Sequence, residues 1–183
     1  MTPNEIKRTS KFLSLILRHR PGIIGLKLDK NGWADTNELL TKVSKKKMPL
    51  TLETLKIIVK ENNKKRFAFN EDYSKIRASQ GHSIKIDLAL APSTPPATLY
   101  HGTVAKNIPS IKRLGLLSQK RNHVHLSKDI DTATNVGQRH GKPIILIVQS
   151  GQMHRDGIPF YLSENKVWLT KQVAPKYIDF PEN

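Results

Sequence analysis

The chain has 183 residues, 37% hydrophobic and 25% charged, the composition of an ordinary globular protein of one large or two small domains. Its 31 basic against 15 acidic residues give a net charge of +16, a field that favours polyanions, nucleic acid above all. The absence of cysteine excludes disulfides, thiolate catalysis and Cys-based zinc sites, and no run reaches the ~18 apolar residues of a membrane-spanning helix.

Met1-Thr2-Pro3-Asn4-Glu5 holds no apolar core of a signal peptide, so a cytoplasmic location is expected. Thr2 to Glu5 has the form of a capping box with proline at the first helical position. Ile6, Phe12, Leu13, Ile16 and Leu17 recur at helical spacing, and Pro21-Gly22 marks the stop. Arg18, His19 and Arg20 therefore fall in the last turn, where cations also favour the helix dipole. Asn31-Gly32 is a turn signal. Asp35-Thr36-Asn37-Glu38 opens a second helix, with Leu39, Leu40 and Val43 on one face. Thr51 caps a third, with Leu52, Leu55, Ile58 and Val59 as its stripe. Arg66 to Phe69 and the run around Ile76 to Ala78 flank Asn70-Glu71-Asp72 as a hairpin. Three helices followed by a hairpin is the winged-helix order, which other small α+β arrangements share. Ala91-Pro92-Ser93-Thr94-Pro95-Pro96 is the expected linker, dividing the chain into 1–91 and 97–183. Up to residue 90 there are 19 basic and 9 acidic residues, and beyond it 12 and 6, so both halves are basic.

Beyond the linker, strands dominate. Leu99-Tyr100 leads into His101-Gly102-Thr103, and Ile108, Ile111 and Leu114 suggest a short helix closed by Gly115. Val124 to Leu126 and Ile144 to Val148 are strand-like. Phe160 to Leu162 and Val167 to Leu169 flank Ser163-Glu164-Asn165 as a second hairpin, and Val173 to Ile178 completes a β-rich half with one or two helices.

Nucleotide fingerprints of the common kinds are missing. Gly137-Gln138-Arg139-His140-Gly141-Lys142 has P-loop character, but its glycine spacing is one residue short and Pro143 stands where Ser or Thr should be. Asp129-Ile130-Asp131 reads better as a helix cap than as a metal pair. His123 and His125 share a strand face that His101 could join as metal ligands, but no acidic residue stands at suitable spacing and no metal is expected. Gln80-Gly81-His82-Ser83 is either an ordinary turn or a clamp for phosphate or ribose. Lys45-Lys46-Lys47 and Lys64-Lys65 suit solvated faces, and Trp33 and Trp168 suit core anchors. Arginine is more telling, because a phosphate dianion needs forked donors at fixed geometry.

Those motifs together resemble the NAD-dependent RNA 2′-phosphotransferases of the tRNA-splicing type. The likeness runs through Ser10-Lys11-Phe12-Leu13-Ser14, Leu17-Arg18-His19, Gly32-Trp33-Ala34, Lys65-Arg66-Phe67 and Ile76 to Ser83. It continues through Leu99 to Thr103, Arg121 with His123 to Ser127, and Val167-Trp168-Leu169-Thr170. Gln119 departs from the family's common methionine, and Lys166 from its common glycine.

The resemblance implies an α+β protein: an N-terminal winged-helix RNA lobe and a C-terminal ADP-ribosyltransferase-like NAD lobe. It implies that an internal RNA 2′-phosphate attacks NAD+ and expels nicotinamide, giving a 2′-phospho-ADP-ribosylated RNA. That intermediate then resolves to RNA 2′-OH and ADP-ribose 1″,2″-cyclic phosphate. The family's catalytic tetrad falls on Arg18, His19, Arg66 and Arg121, with His19 the candidate for protonating the departing RNA oxygen. NAD+ is the co-substrate, to be held by His101, Gly102, Thr103 and Ser127. Gln80, Gly81, His82 and Ser83 would bind RNA or its phosphate. A tRNA-like RNA is the partner, and a monomer is expected. Two rivals remain: an ADP-ribosyltransferase acting on other phosphorylated ends or on protein, and an NAD-sensing winged-helix regulator.

Overall fold

Thr2 starts the first helix as the sequence requires. Its hydroxyl accepts from the Glu5 N–H at 3.3 Å while the Glu5 carboxylate accepts from the Thr2 N–H at 2.7 Å, which closes the capping box. The computed structural model describes residues 2–46, 48–62 and 64–181, with His140 described through its backbone alone. Lys47, expected on a solvated face, lies outside the described residues, as does Met1. The chain forms two compact units, Met1–Ala89 and Leu90–Asn183.

In the first unit, α1 (Pro3–Arg18) is followed by a 3-10 turn at Pro21–Ile24, then β1 (Ala34–Asp35), α2 (Thr36–Ser44), α3 (Leu52–Lys60), β2 (Phe67–Phe69) and β3 (Lys75–Ala78). Asp35 caps α2 by accepting from the Glu38 N–H at 2.7 Å, and Thr51 caps α3 by accepting from the Thr54 N–H at 3.2 Å. The hairpin pairs Phe67 with Ala78 and Phe69 with Ile76. The sequence reading did not place β1, which pairs back onto β3 and makes the sheet order β1-β3-β2. Leu13, Ile16, Leu17, Leu39, Leu55 and Ile76 form the heart of one core. Each fully buried aliphatic side chain contributes roughly 1.5–3 kcal/mol.

The second unit begins with the segment read as the linker, which is fastened to that unit: Pro92 bridges Tyr161, the Ser93 N–H donates to the Phe160 carbonyl, and Ser150 Oγ donates to the Pro96 carbonyl at 2.8 Å. There follow β4 (Leu99–Val104), α4 (Ile108–Leu114), β5 (Leu116–Leu117), β6 (Val124–Leu126), α5 (Ile130–Gly137), β7 (Pro143–Val148), α6 (Ser150–Arg155), β8 (Tyr161–Leu162), β9 (Trp168–Thr170), β10 (Gln172–Val173) and β11 (Ile178–Asp179). Among the described residues the strands form three antiparallel sheets, β11-β7-β4, β6-β9-β8 and β10-β5. Reciprocal 2.8 Å hydrogen bonds between Tyr100 and Ser127 tie the first of these to the chain just beyond β6. Leu99, Leu126, Leu146, Val148, Met153, Phe160 and Leu169 are fully buried or nearly so. The mixture of helix and antiparallel sheet is α+β.

One expectation changes, and one holds. Trp168 is a core residue, but Trp33 is only half-buried and carries the Arg77 guanidinium 4.4 Å from its ring centroid. The Asp129 side chain caps α5 through the Thr132 N–H at 2.7 Å, and Gly137 of the P-loop-like stretch ends that helix.

Candidate functional site

The polar groups singled out in the first unit gather where α1 ends. The last helical residue, Arg18, donates from Nη2 to the Arg66 carbonyl at 3.3 Å, and the Ser79 N–H donates to that same carbonyl at 2.9 Å. The Arg66 guanidinium is held in turn by Asn62, whose Oδ1 accepts from Nη1 at 3.3 Å and from the Arg66 N–H at 3.4 Å. Asn62 Nδ2 donates to Ser10 Oγ at 3.1 Å, so α1 supports Arg66 as well as bearing Arg18. Asn62 was missed in the sequence. Its only signal was its position between the end of α3 and Arg66.

The chain then returns past α1. The Ser83 N–H donates to the Arg18 carbonyl at 3.0 Å, and Ser83 Oγ shares a 2.9 Å hydrogen bond with His19 Nδ1. Gly81, at φ +87°, lies against the Arg18 side chain: an added Cβ would stand 3.7 Å from Nη1. His82, within the same four-residue stretch, is 2% exposed, and its Nε2 would lie 3.4 Å from a Cβ added at Gly32. Burial, then the charges of Arg18, His19 and Arg77, push its pKa down to about 4. Gln80 is half-buried.

In the second unit, the expected nucleotide residues differ in their surroundings. His101 on β4 is half-buried, and its Nδ1 lies 3.1 Å from the His125 carbonyl of β6. A carbonyl only accepts, so Nδ1 carries the proton and Nε2 of the neutral ring is an acceptor. Burial lowers the pKa of His101 and outweighs the opposing effect of the His125 carbonyl, so the ring is neutral at pH 7. Ser127 stands half-buried at the β4 bridge one strand position away. Gly102 and Thr103 pack against neighbouring elements. A Cβ at Gly102 would lie 2.0 Å from the Ala133 carbonyl oxygen, so glycine here admits α5 against β4. Thr103 is buried and accepts from Asn107 Nδ2 at 3.2 Å. His123 packs edge-on to Tyr161, with centroids 5.9 Å apart. Among the described residues no three His, Cys, Asp or Glu side chains gather as a metal site requires. Arg121 is exposed in the turn before β6, where its N–H donates to the Ser118 carbonyl at 3.0 Å and Gln119 adopts φ +54°.

The family model described as RNA 2′-phosphotransferase, Tpt1/KptA family, matches residues 4–172. The chain belongs to this family. A protein of Flavobacterium johnsoniae named "Probable RNA 2′-phosphotransferase" is 60% identical over 180 residues, covering 98% of this chain and 99% of its own length. Proteins given the same name in Fusobacterium nucleatum and Burkholderia pseudomallei are 56% and 53% identical, over 97% and 95% of this chain and 99% and 95% of their own. Every motif that carried the resemblance to RNA 2′-phosphotransferases lies within the matched residues. Among the described residues no helix is long and apolar enough to cross a membrane.

Proposed function

We propose that this protein is an RNA 2′-phosphotransferase that passes an internal 2′-phosphate of RNA to NAD+, yielding RNA 2′-OH, nicotinamide and ADP-ribose 1″,2″-cyclic phosphate. Family membership over nearly the whole chain supports the transferase reading. The observation that carries the site is the hydrogen-bonded gathering of Arg18, His19 and Arg66 in the first unit.

When bound, NAD+ supplies an activated anomeric carbon with its own leaving group, so the protein needs no nucleophile. The task left to this chain is to bind, orient and neutralise charge. Arg18 and Arg66 offer forked donors to the RNA 2′-phosphate. His19, with Nδ1 committed to Ser83, has its ring plane set and delivers a proton to the departing RNA 2′ oxygen. In the second unit the neutral His101 presents an acceptor nitrogen that suits a ribose hydroxyl, with Ser127 beside it. His101 and Ser127 fit NAD+ on this ground, whereas Gly102 and Thr103 contribute by shaping the strand. Arg121 stabilises the phosphate during resolution of the intermediate.

The order α1-β1-α2-α3-β2-β3 supports a winged-helix RNA lobe, and the strand-rich second unit an ADP-ribosyltransferase-like lobe. A cysteine-free chain is compatible with a reducing compartment, and the reading is completed by a cytoplasmic monomer acting on tRNA-like RNA. Incubation with NAD+ and an oligonucleotide bearing one internal 2′-phosphate tests this. NAD+-dependent appearance of the 2′-OH oligonucleotide and cyclic phosphate is expected. A stable ADP-ribosylated product without cyclic phosphate, or no nicotinamide release, refutes it.

A further inference from the structure

His82 is the one buried histidine of the first unit with no catalytic task in the reading above, and its surroundings assign it another. Its Nε2 is buried without a hydrogen-bond partner among the described residues. That atom faces the turn at Gly32, where an added Cβ would lie 3.4 Å from it and 3.1 Å from Ile86 Cγ2. Gly32 itself has φ +81°, so both its conformation and the space above it favour glycine. The residues on either side of His82 grip the end of α1: Gly81 lies on the Arg18 side chain, and Ser83 bonds the Arg18 carbonyl and the His19 ring. A buried polar nitrogen left without a partner carries its full desolvation penalty. A purely structural peg is better made from an apolar side chain.

We propose that His82 is a positioning residue whose imidazole, seated between the Gly32 turn and the end of α1, holds Gly81 against Arg18 and Ser83 against His19. The chain from peg to chemistry is short. Displacing the ring moves the Ser83 backbone, which releases His19 Nδ1 and the Arg18 carbonyl together. The loss is one of orientation, to which transfer chemistry is sensitive, so turnover falls while affinity for RNA changes little. This inference rests on the reading of Arg18 and His19 as the groups that face the RNA phosphate.

The test compares His82→Gln, Ser83→Ala and the double variant with the wild-type protein. Ser83 is exposed, so its hydroxyl can be removed with little risk to folding. Turnover of a 2′-phosphorylated oligonucleotide should fall about 10-fold in kcat in each single variant, with KM changed less than about 3-fold. The double variant should be no worse than either single one, because both act through the same contact. Independently of activity, the His19 ring signals in isotope-edited NMR should move in His82→Gln toward their position in Ser83→Ala. His19 signals left in place in a folded His82→Gln protein overturn the proposal, as do kcat losses that simply multiply. If the wild-type protein has no NAD+-dependent turnover, the functional reading fails while the ring signals still decide the role of His82.

Discussion

Replacing His82 by Gln should remove a specific part of the acid sensitivity of the fold. The folded protein holds the His82 pKa at about 4, against an ordinary value of 6.5, because the ring is buried and faces the charges of Arg18, His19 and Arg77. Between those two values the unfolded chain binds a proton that the folded chain refuses. The contribution is therefore fully present above pH 6.5, and it is lost as the pH falls toward 4. At roughly 1.4 kcal/mol per tenfold, the whole effect is about 3 kcal/mol, of which about 2 kcal/mol is gone by pH 5. That is a large share of the roughly 5–15 kcal/mol that holds an ordinary domain together. Urea unfolding of wild type and His82→Gln at pH 7, 6, 5 and 4.5 reads it directly. Groups that titrate in both proteins, such as Asp129 and Asp156, cancel in the difference. The variant should lose less stability than wild type on acidification, by about 2 kcal/mol at pH 5. Parallel pH profiles would show that His82 is not held neutral, and the account of its burial would fall.

Arg18→Ala, Arg66→Ala and Arg121→Ala should each lower kcat/KM on 2′-phosphorylated RNA by ~10²-fold or more, and Arg18→Lys should restore little, because the forked donor geometry is lost. Single-turnover assays check this, and near-wild-type turnover would remove that arginine from the site. Asn62→Ala frees the Arg66 guanidinium from its holder, so a loss of about 1 kcal/mol in transition-state stabilisation is expected without a change in unfolding midpoint beyond that of a surface substitution. Gly102→Ala sets a Cβ 2.0 Å from the Ala133 carbonyl oxygen. Since backbone must move to admit it, the variant should lose about 3 kcal/mol in urea unfolding, at the upper end for overpacking. Lys166 sits at φ +61° in the turn between β8 and β9, where Ser163 Oγ takes the Val167 N–H at 3.0 Å. Lys166→Gly relieves the left-handed strain and should raise stability by about 0.5–1 kcal/mol net of the entropy of glycine, seen as a higher thermal midpoint.

Local chemistry was legible from the residues alone. Thr2, Asp35, Thr51 and Asp129 each cap a helix through a side-chain oxygen within three residues, and such contacts need nothing beyond their own segment. The 3.6-residue stripe of α1 and the two hairpins were legible for the same reason. Motif order along the chain also carries the family resemblance, within the residues the family model matches.

Tertiary structure decided what short-range pattern cannot carry. No spacing rule connects Ala34 with Ile76, so the strand that completes the first sheet was invisible. That α5 packs on Gly102 could not be read either, because the direction of its absent Cβ depends on where α5 lies. His82 shares a four-residue motif with Ser83, yet one is buried and the other exposed. Residue type states what a side chain can do; only the packing of distant segments states which way it faces and how much water it keeps.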